Sequence, residues 1–169
     1  MKKIKNILLT AVFALSALSF TFAQSKVAHI NTQELVGSMP EMNTAKAELE
    51  KLAKTYETDI QTMAAELQSK VKQYDSEAGS QTDEANQSRL QEVQGMEQSI
   101  RQYQQQAQSD LQKKEFDLLK PISEKAQAAI VKVANSQGFD YVLDSTQGQG
   151  VILANGKDLM ADVKTELGF

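Results

Sequence analysis

The 169-residue chain has no cysteine and no tryptophan, only two prolines, and a single histidine, His29. Without cysteine, disulfide staples, thiolate metal sites and a lipid-modified N-terminal cysteine are all excluded. With one histidine and no thiol, a catalytic or metal-binding role for His29 would need partners from elsewhere, and an ordinary strand residue is the reading that fits. Acidic residues are not gathered either. Glu48 and Glu50, or Asp83 and Glu84, point to different helical faces, so they read as solvated charge rather than paired catalytic carboxylates. Gly148 and Gly150 lie between two strand candidates, where a turn explains them better than a phosphate loop. No constellation supports an enzyme, and no cofactor is implied. A basic stripe is also missing: 18 Lys and Arg stand against 22 Asp and Glu. That balance argues against nucleic acid as a partner.

Long apolar runs occur only at the start. Lys2, Lys3 and Lys5 precede an uncharged stretch from Ile7 to Phe22, and Thr21 and Ala23 are small residues at the −3 and −1 positions of a cleavage site. Residues 1–23 therefore read as a secretory signal peptide cut after Ala23, and an exported chain without cysteine suits the periplasm.

What is present is helix. Apolar residues fall at Leu52, Tyr56, Ile60, Met63, Leu67, Val71, Tyr74 and Ala78, an 11-residue pattern that gives a nearly straight helix with one narrow stripe. A breaker cluster follows around Gly79. A second stripe runs through Leu90, Val93, Met96, Ile100, Tyr103, Ala107 and Leu111, with Glu115 as a gap before Leu118 and Ile122. Two long helices with one stripe each predict an antiparallel hairpin over residues 41–120, a coiled-coil arm roughly 60 Å long at about 1.5 Å per residue. With the tip near Gly79 and Ser80, residue i should face roughly 160 − i. Ten glutamines between Gln87 and Gln112 give this arm an uncharged polar surface. Tyr56, Met63, Tyr74, Met96 and Tyr103 lie on the stripes. Packing of the hairpin is their first role, and contact with a bound chain is a second one that their adaptable, amphipathic side chains permit.

The remaining pieces, residues 24–40 and 121–169, form a base. Lys26–Asn31 is a strand candidate, Asn31 and Glu34 open a short helix, and Ser38 and Glu41 form a second capping box ahead of the arm. Pro121 should kink the second long helix and act as a hinge at the arm root, with Lys120 disfavoured as helix. Asn135–Gly138 should end that helix with Gly in the left-handed cap. Phe139–Asp144 and Val151–Ala154 read as two strands of a hairpin, and Asp158 as the cap of a last helix. Three short strands with open edges and little core are marginal alone. Association through Val27, Ile30, Tyr141, Leu143, Val151 and Leu153 is the expected remedy. Each arm stripe is used by its hairpin partner, so arms projecting from a shared base should stand apart and enclose a space.

Several stretches of the chain resemble the OmpH/Skp family of periplasmic chaperones. They are Lys26 to Pro40, the long hairpin, Leu118-Leu119-Lys120-Pro121-Ile122, Ala129-Ile130 with Val133-Ala134, Gly138 to Asp144, and Asp158-Leu159. The resemblance implies a homotrimer with a small β-barrel body and three α-hairpin arms. Such arms hold unfolded outer-membrane proteins without ATP. The departure is charge: residues 41–120 hold 10 basic and 15 acidic residues. Acidic arms argue against lipopolysaccharide or a membrane surface as a partner. A structural coiled-coil spacer of the envelope is the alternative function.

Overall fold

The computed structural model describes residues 25–169. The expected signal peptide and its cleavage site lie outside these described residues. The first element, β1 (Val27–Ile30), leads into α1 (Thr32–Ser38), whose cap Asn31 accepts a 2.9 Å hydrogen bond from the Glu34 N–H. The expected second capping box does not form. Pro40 disfavours helix at the residue before it, so Met39 is extended (φ −66°, ψ 135°) and separates α1 from α2 (Pro40–Glu77). Ser38 stays in α1 and its hydroxyl donates to the Leu35 carbonyl.

A single 3₁₀ turn, Ala78–Ser80, and the cap residue Thr82 connect α2 to α3 (Asp83–Ser136). Ala78 therefore leaves the stripe and is exposed. The ion pairs Glu48–Lys114, Lys70–Glu92 and Glu77–Arg89 put the partner of residue i near 164 − i. The tip is where expected, for the connection between Glu77 and Asp83 is centred on Ser80, but the side chains meet one helical turn farther along because each leans toward the N-terminus of its own helix.

Pro121 does not break α3. The helix is continuous for 54 residues, Lys120 included, so one rod serves both arm and base. The missing N–H leaves only the Asp117 carbonyl without its helical donor. Downstream, Gly138 takes φ 68° after the helix end, as the cap reading requires.

The sheet is parallel, with order β2-β1-β3. β2 (Tyr141–Asp144) pairs with β1 from Val27↔Tyr141 to Ile30↔Asp144, so its partner lies more than a hundred residues away. The expected hairpin is absent. Val151–Ala154 is irregular, and the third strand is Lys157–Asp158, on the far side of β1. Both residues of this strand are exposed, but Leu159, next in the chain, is fully buried and anchors the segment to the core. Asp158 is accordingly in β3, and α4 (Met160–Leu167) follows, with the Asp158 carboxylate still accepting from the Met160 N–H at 2.8 Å.

The core sits beneath this sheet. Ile30, Leu35, Met39, Leu159 and Val163 are fully buried there. The base end of α3 presents Ile122, Ala126, Ala129, Val133 and Ala134 to them, and Ala45 closes the arm side. The alanines let the sheet, α1 and α4 pack closely on one helix face.

Candidate functional site

The arm is a seam of half-buried side chains. Leu52, Tyr56, Ile60, Met63, Leu67, Val71 and Tyr74 meet Val93, Met96, Ile100, Tyr103, Ala107 and Leu111, as their periodicity requires. Leu90 does not join them and is 57% exposed. Counting back from Val93, the seam falls on Arg89, whose guanidinium stacks 4.6 Å from the Tyr74 ring and pairs with Glu77. Lys114, not Glu115, fills the gap farther down, and it pairs with Glu48 at 2.9 Å. Polar residues at seam positions hid these contacts from a search for apolar periodicity.

The tyrosines cross-link the two helices. Tyr56 donates to Asp110 on the opposite helix at 2.9 Å, and Tyr103 donates back to Asp59 at 2.6 Å. Their rings meet edge-on, 5.7 Å between centroids. The bond to Asp59 pushes the Tyr103 phenol up to about 12, and the bond to Asp110 raises Tyr56 as well. Near the tip, Tyr74 donates to Glu92, which Lys70 also holds at 2.7 Å. The Lys70 bond, then that of Tyr74, lowers the Glu92 carboxyl. Tyr56, Met63, Tyr74, Met96 and Tyr103 thus sit half-buried along the whole seam and do not form one patch.

An apolar concavity opens along one side of this seam. A shallow groove of about 790 Å³ opens between α2 and α3 at mid-arm. Its floor is Leu49, Ala53, Ile60, Ala107 and Leu111, with Tyr56 at one wall. Gln61, Gln104, Gln108 and Gln112 flank it. Of the five candidate contact residues only Tyr56 touches it. Leu49 continues the stripe three residues before Leu52, where the expected apolar pattern begins, and exposed Ala53 lies one step beside it.

The base offers a different surface. Alternation along β1 turns Ala28 and Ile30 inward and Val27 and His29 outward. Val27, Tyr141 and Leu143 are 43%, 60% and 45% exposed on the sheet's outer face. The Nδ1 of His29 has no hydrogen-bond partner among the described residues. The outer edge of β2 is unpaired. In the irregular segment before β3, Ile152 is fully exposed and Leu153 75% exposed. Ile30, expected at an interface between copies, is instead 1% exposed and belongs to the chain's own core, because its side chain points inward. Val151 is half-buried and is not in a strand.

Asp144 ties β2 to α1. Burial pushes its carboxyl up, but hydrogen bonds from the Thr32 hydroxyl and from the Thr32 and Thr146 N–H groups outweigh this and bring it down to about 2. The Thr32 hydroxyl bond is 2.6 Å long and the Thr146 N–H bond 2.9 Å. Thr146 also donates to the Asn31 cap at 3.0 Å, so one network fixes the start of α1 and the end of β2.

Among the described residues, no three His, Asp or Glu side chains are placed to hold a metal ion. No helix among them is long and apolar enough to cross a membrane. The geometry is that of a contact surface on a rod.

A family profile described as outer membrane protein (OmpH-like) matches residues 26–167. The fold is similar to a crystal structure of a candidate outer membrane chaperone (OmpH-like) from Caulobacter crescentus, with a TM-score of 0.76. The two sequences are 19% identical, over 86% of this chain and 85% of that one. A search of curated proteins returns no match.

Proposed function

The chain belongs to the OmpH-like outer membrane protein family, and on that premise we propose that it is an ATP-independent holdase of the periplasm for unfolded outer-membrane proteins. The observation that carries this reading is the division of apolar surface. In the arm, the stripes of α2 and α3 are used against each other, leaving a glutamine-rich exterior with a shallow groove. In the base, an apolar sheet face and the Ile152–Leu153 loop are left uncovered.

Uncovered base faces bring copies together, as a homotrimer in this reading. Residues 24–40 and 121–169 form the assembling base, and residues 41–120 project from it as the arm. Val27, Tyr141, Leu143 and Leu153 supply the contact, joined by Ile152. Three arms enclose a space in which a client is held by many weak contacts. A client confined there cannot pair its strand edges with another chain. Pro121 is the flexing point at each arm root, where one missing backbone bond weakens the ladder. Acidic arms do not favour lipopolysaccharide or anionic membrane surfaces.

The test is light scattering from a urea-unfolded outer-membrane barrel diluted with and without the mature chain, in the absence of nucleotide. A holdase keeps the barrel soluble at about one trimer per client. Scattering that does not change with added chain would favour an envelope spacer instead.

A further inference from the structure

We infer that the mid-arm groove is a seat for an extended client segment that alternates apolar and basic side chains, an inference that rests on the holding role proposed above. The groove has the size for it. From Leu49 to Gln61 it runs 12 residues along α2, about 18 Å at ~1.5 Å per residue. That length accepts five or six residues of extended chain at roughly 3.3 Å each. The floor is apolar, so side chains on one face of such a segment lose water there. The four flanking glutamines each carry a carboxamide donor and acceptor, which suits the unpaired backbone amides of an extended chain.

Charge decides the rest. The lining contains three carboxylates, Glu50, Glu57 and Glu115, and no lysine or arginine. Glu57 is engaged by Lys54 at 2.8 Å. Glu50 and Glu115 have no ion partner among the described residues, although lysines occur on both helices. The arm's own register places these two at the same height, one on each helix, at the base end of the groove. Two carboxylates without an ion partner, one on each helix beside an apolar trough, attract a lysine or arginine side chain laid there. An acidic segment meets repulsion at the same place. The tip end of the groove is neutral, between Gln61 and Gln104. A bound segment is therefore oriented, with its basic residue toward the base.

The test uses the full mature chain with a photo-crosslinking residue at Gln108, in the groove, or at Thr62, which is exposed and outside it. The probes are two twelve-residue peptides, one alternating valine with lysine and one valine with glutamate, and a urea-unfolded outer-membrane barrel. The expected result is capture of the lysine peptide and the barrel at Gln108, about fivefold above Thr62. The double variant Glu50→Gln/Glu115→Gln should weaken the lysine peptide about fivefold, the size expected of two exposed ion contacts, and should strengthen the glutamate peptide, because the repulsion is gone. Equal capture at the two positions, or equal binding of the two peptides by the unaltered chain, would overturn the groove. If the barrel stays soluble but crosslinks equally at both positions, the groove fails and the holding role stands. If the lysine peptide is captured at Gln108 but the barrel still aggregates, the groove stands and the holding role fails.

Discussion

In the arm, every seam residue except buried Ala107 stays half-buried, and the bonds between α2 and α3 join positions fixed by one register, Tyr56 to Asp110 and Lys70 to Glu92 alike. In the base, Leu35, Met39, Leu159 and Val163 are closed off completely, and β1 is paired with strands from the other end of the chain. The arm is a repeating contact in which each turn adds a little. The base is a small cooperative core whose parts are useless singly. A rod of the first kind can bend and keep its function; a body of the second kind holds or fails as a unit.

The largest effect should come from the base core. Leu35→Ala removes a side chain with no exposure and should cost about 3 kcal/mol, whereas Leu67→Ala, half-buried in the seam, should cost about 1. Denaturant unfolding at one protomer concentration measures both. Equal costs would mean that the arm and base are not different in kind.

Next comes acid. Asp144 is depressed to about 2 from 3.8, so its contribution is fully present above 3.8 and is lost as pH falls through about 2. Allowing for partial exposure, that is about 1–2 kcal/mol. In Asp144→Ala the stability lost between 3.8 and about 2 should shrink by that amount, seen in unfolding curves over this range. An unchanged acid limb would remove Asp144 from the base's framework.

How much of this was legible in the sequence divides along the same line. The helices, the seam tyrosines and the Gly138 cap followed from spacing alone, because helical neighbours are three or four residues apart and the information is local. The seam at Arg89 and Lys114 was missed because those positions carry charge. The sheet was misread because β1 selects its partners across the length of the arm: Val151–Ala154 has strand composition, yet Lys157–Asp158 occupies the available edge. The groove floor at Leu49 and Ala53 exists only once the two helices are set side by side.

Smaller effects should stay within the arm. In Asp59→Asn the Tyr103 phenol should fall from about 12 toward its ordinary 10.0, followed by ultraviolet difference titration. Base signals should not move; a response in the base would show that arm and base are coupled more tightly than half-buried seams allow. Pro121→Ala should restore the donor to the Asp117 carbonyl and slow hydrogen exchange around residues 117–122, with assembly intact. Unchanged exchange there would leave no hinge at the arm root.

The central claim is that the base assembles and the arms hold. It is tested most directly by native mass spectrometry of the mature chain and of a variant in which residues 49–115 are replaced by a short linker, each with and without an unfolded outer-membrane barrel. That replacement keeps Ala45, Leu118 and the rest of the base core. The account predicts trimers of both proteins, and a trimer carrying one client only for the intact chain. A monomeric shortened variant, or one that carries the client as well as the intact chain does, would contradict it.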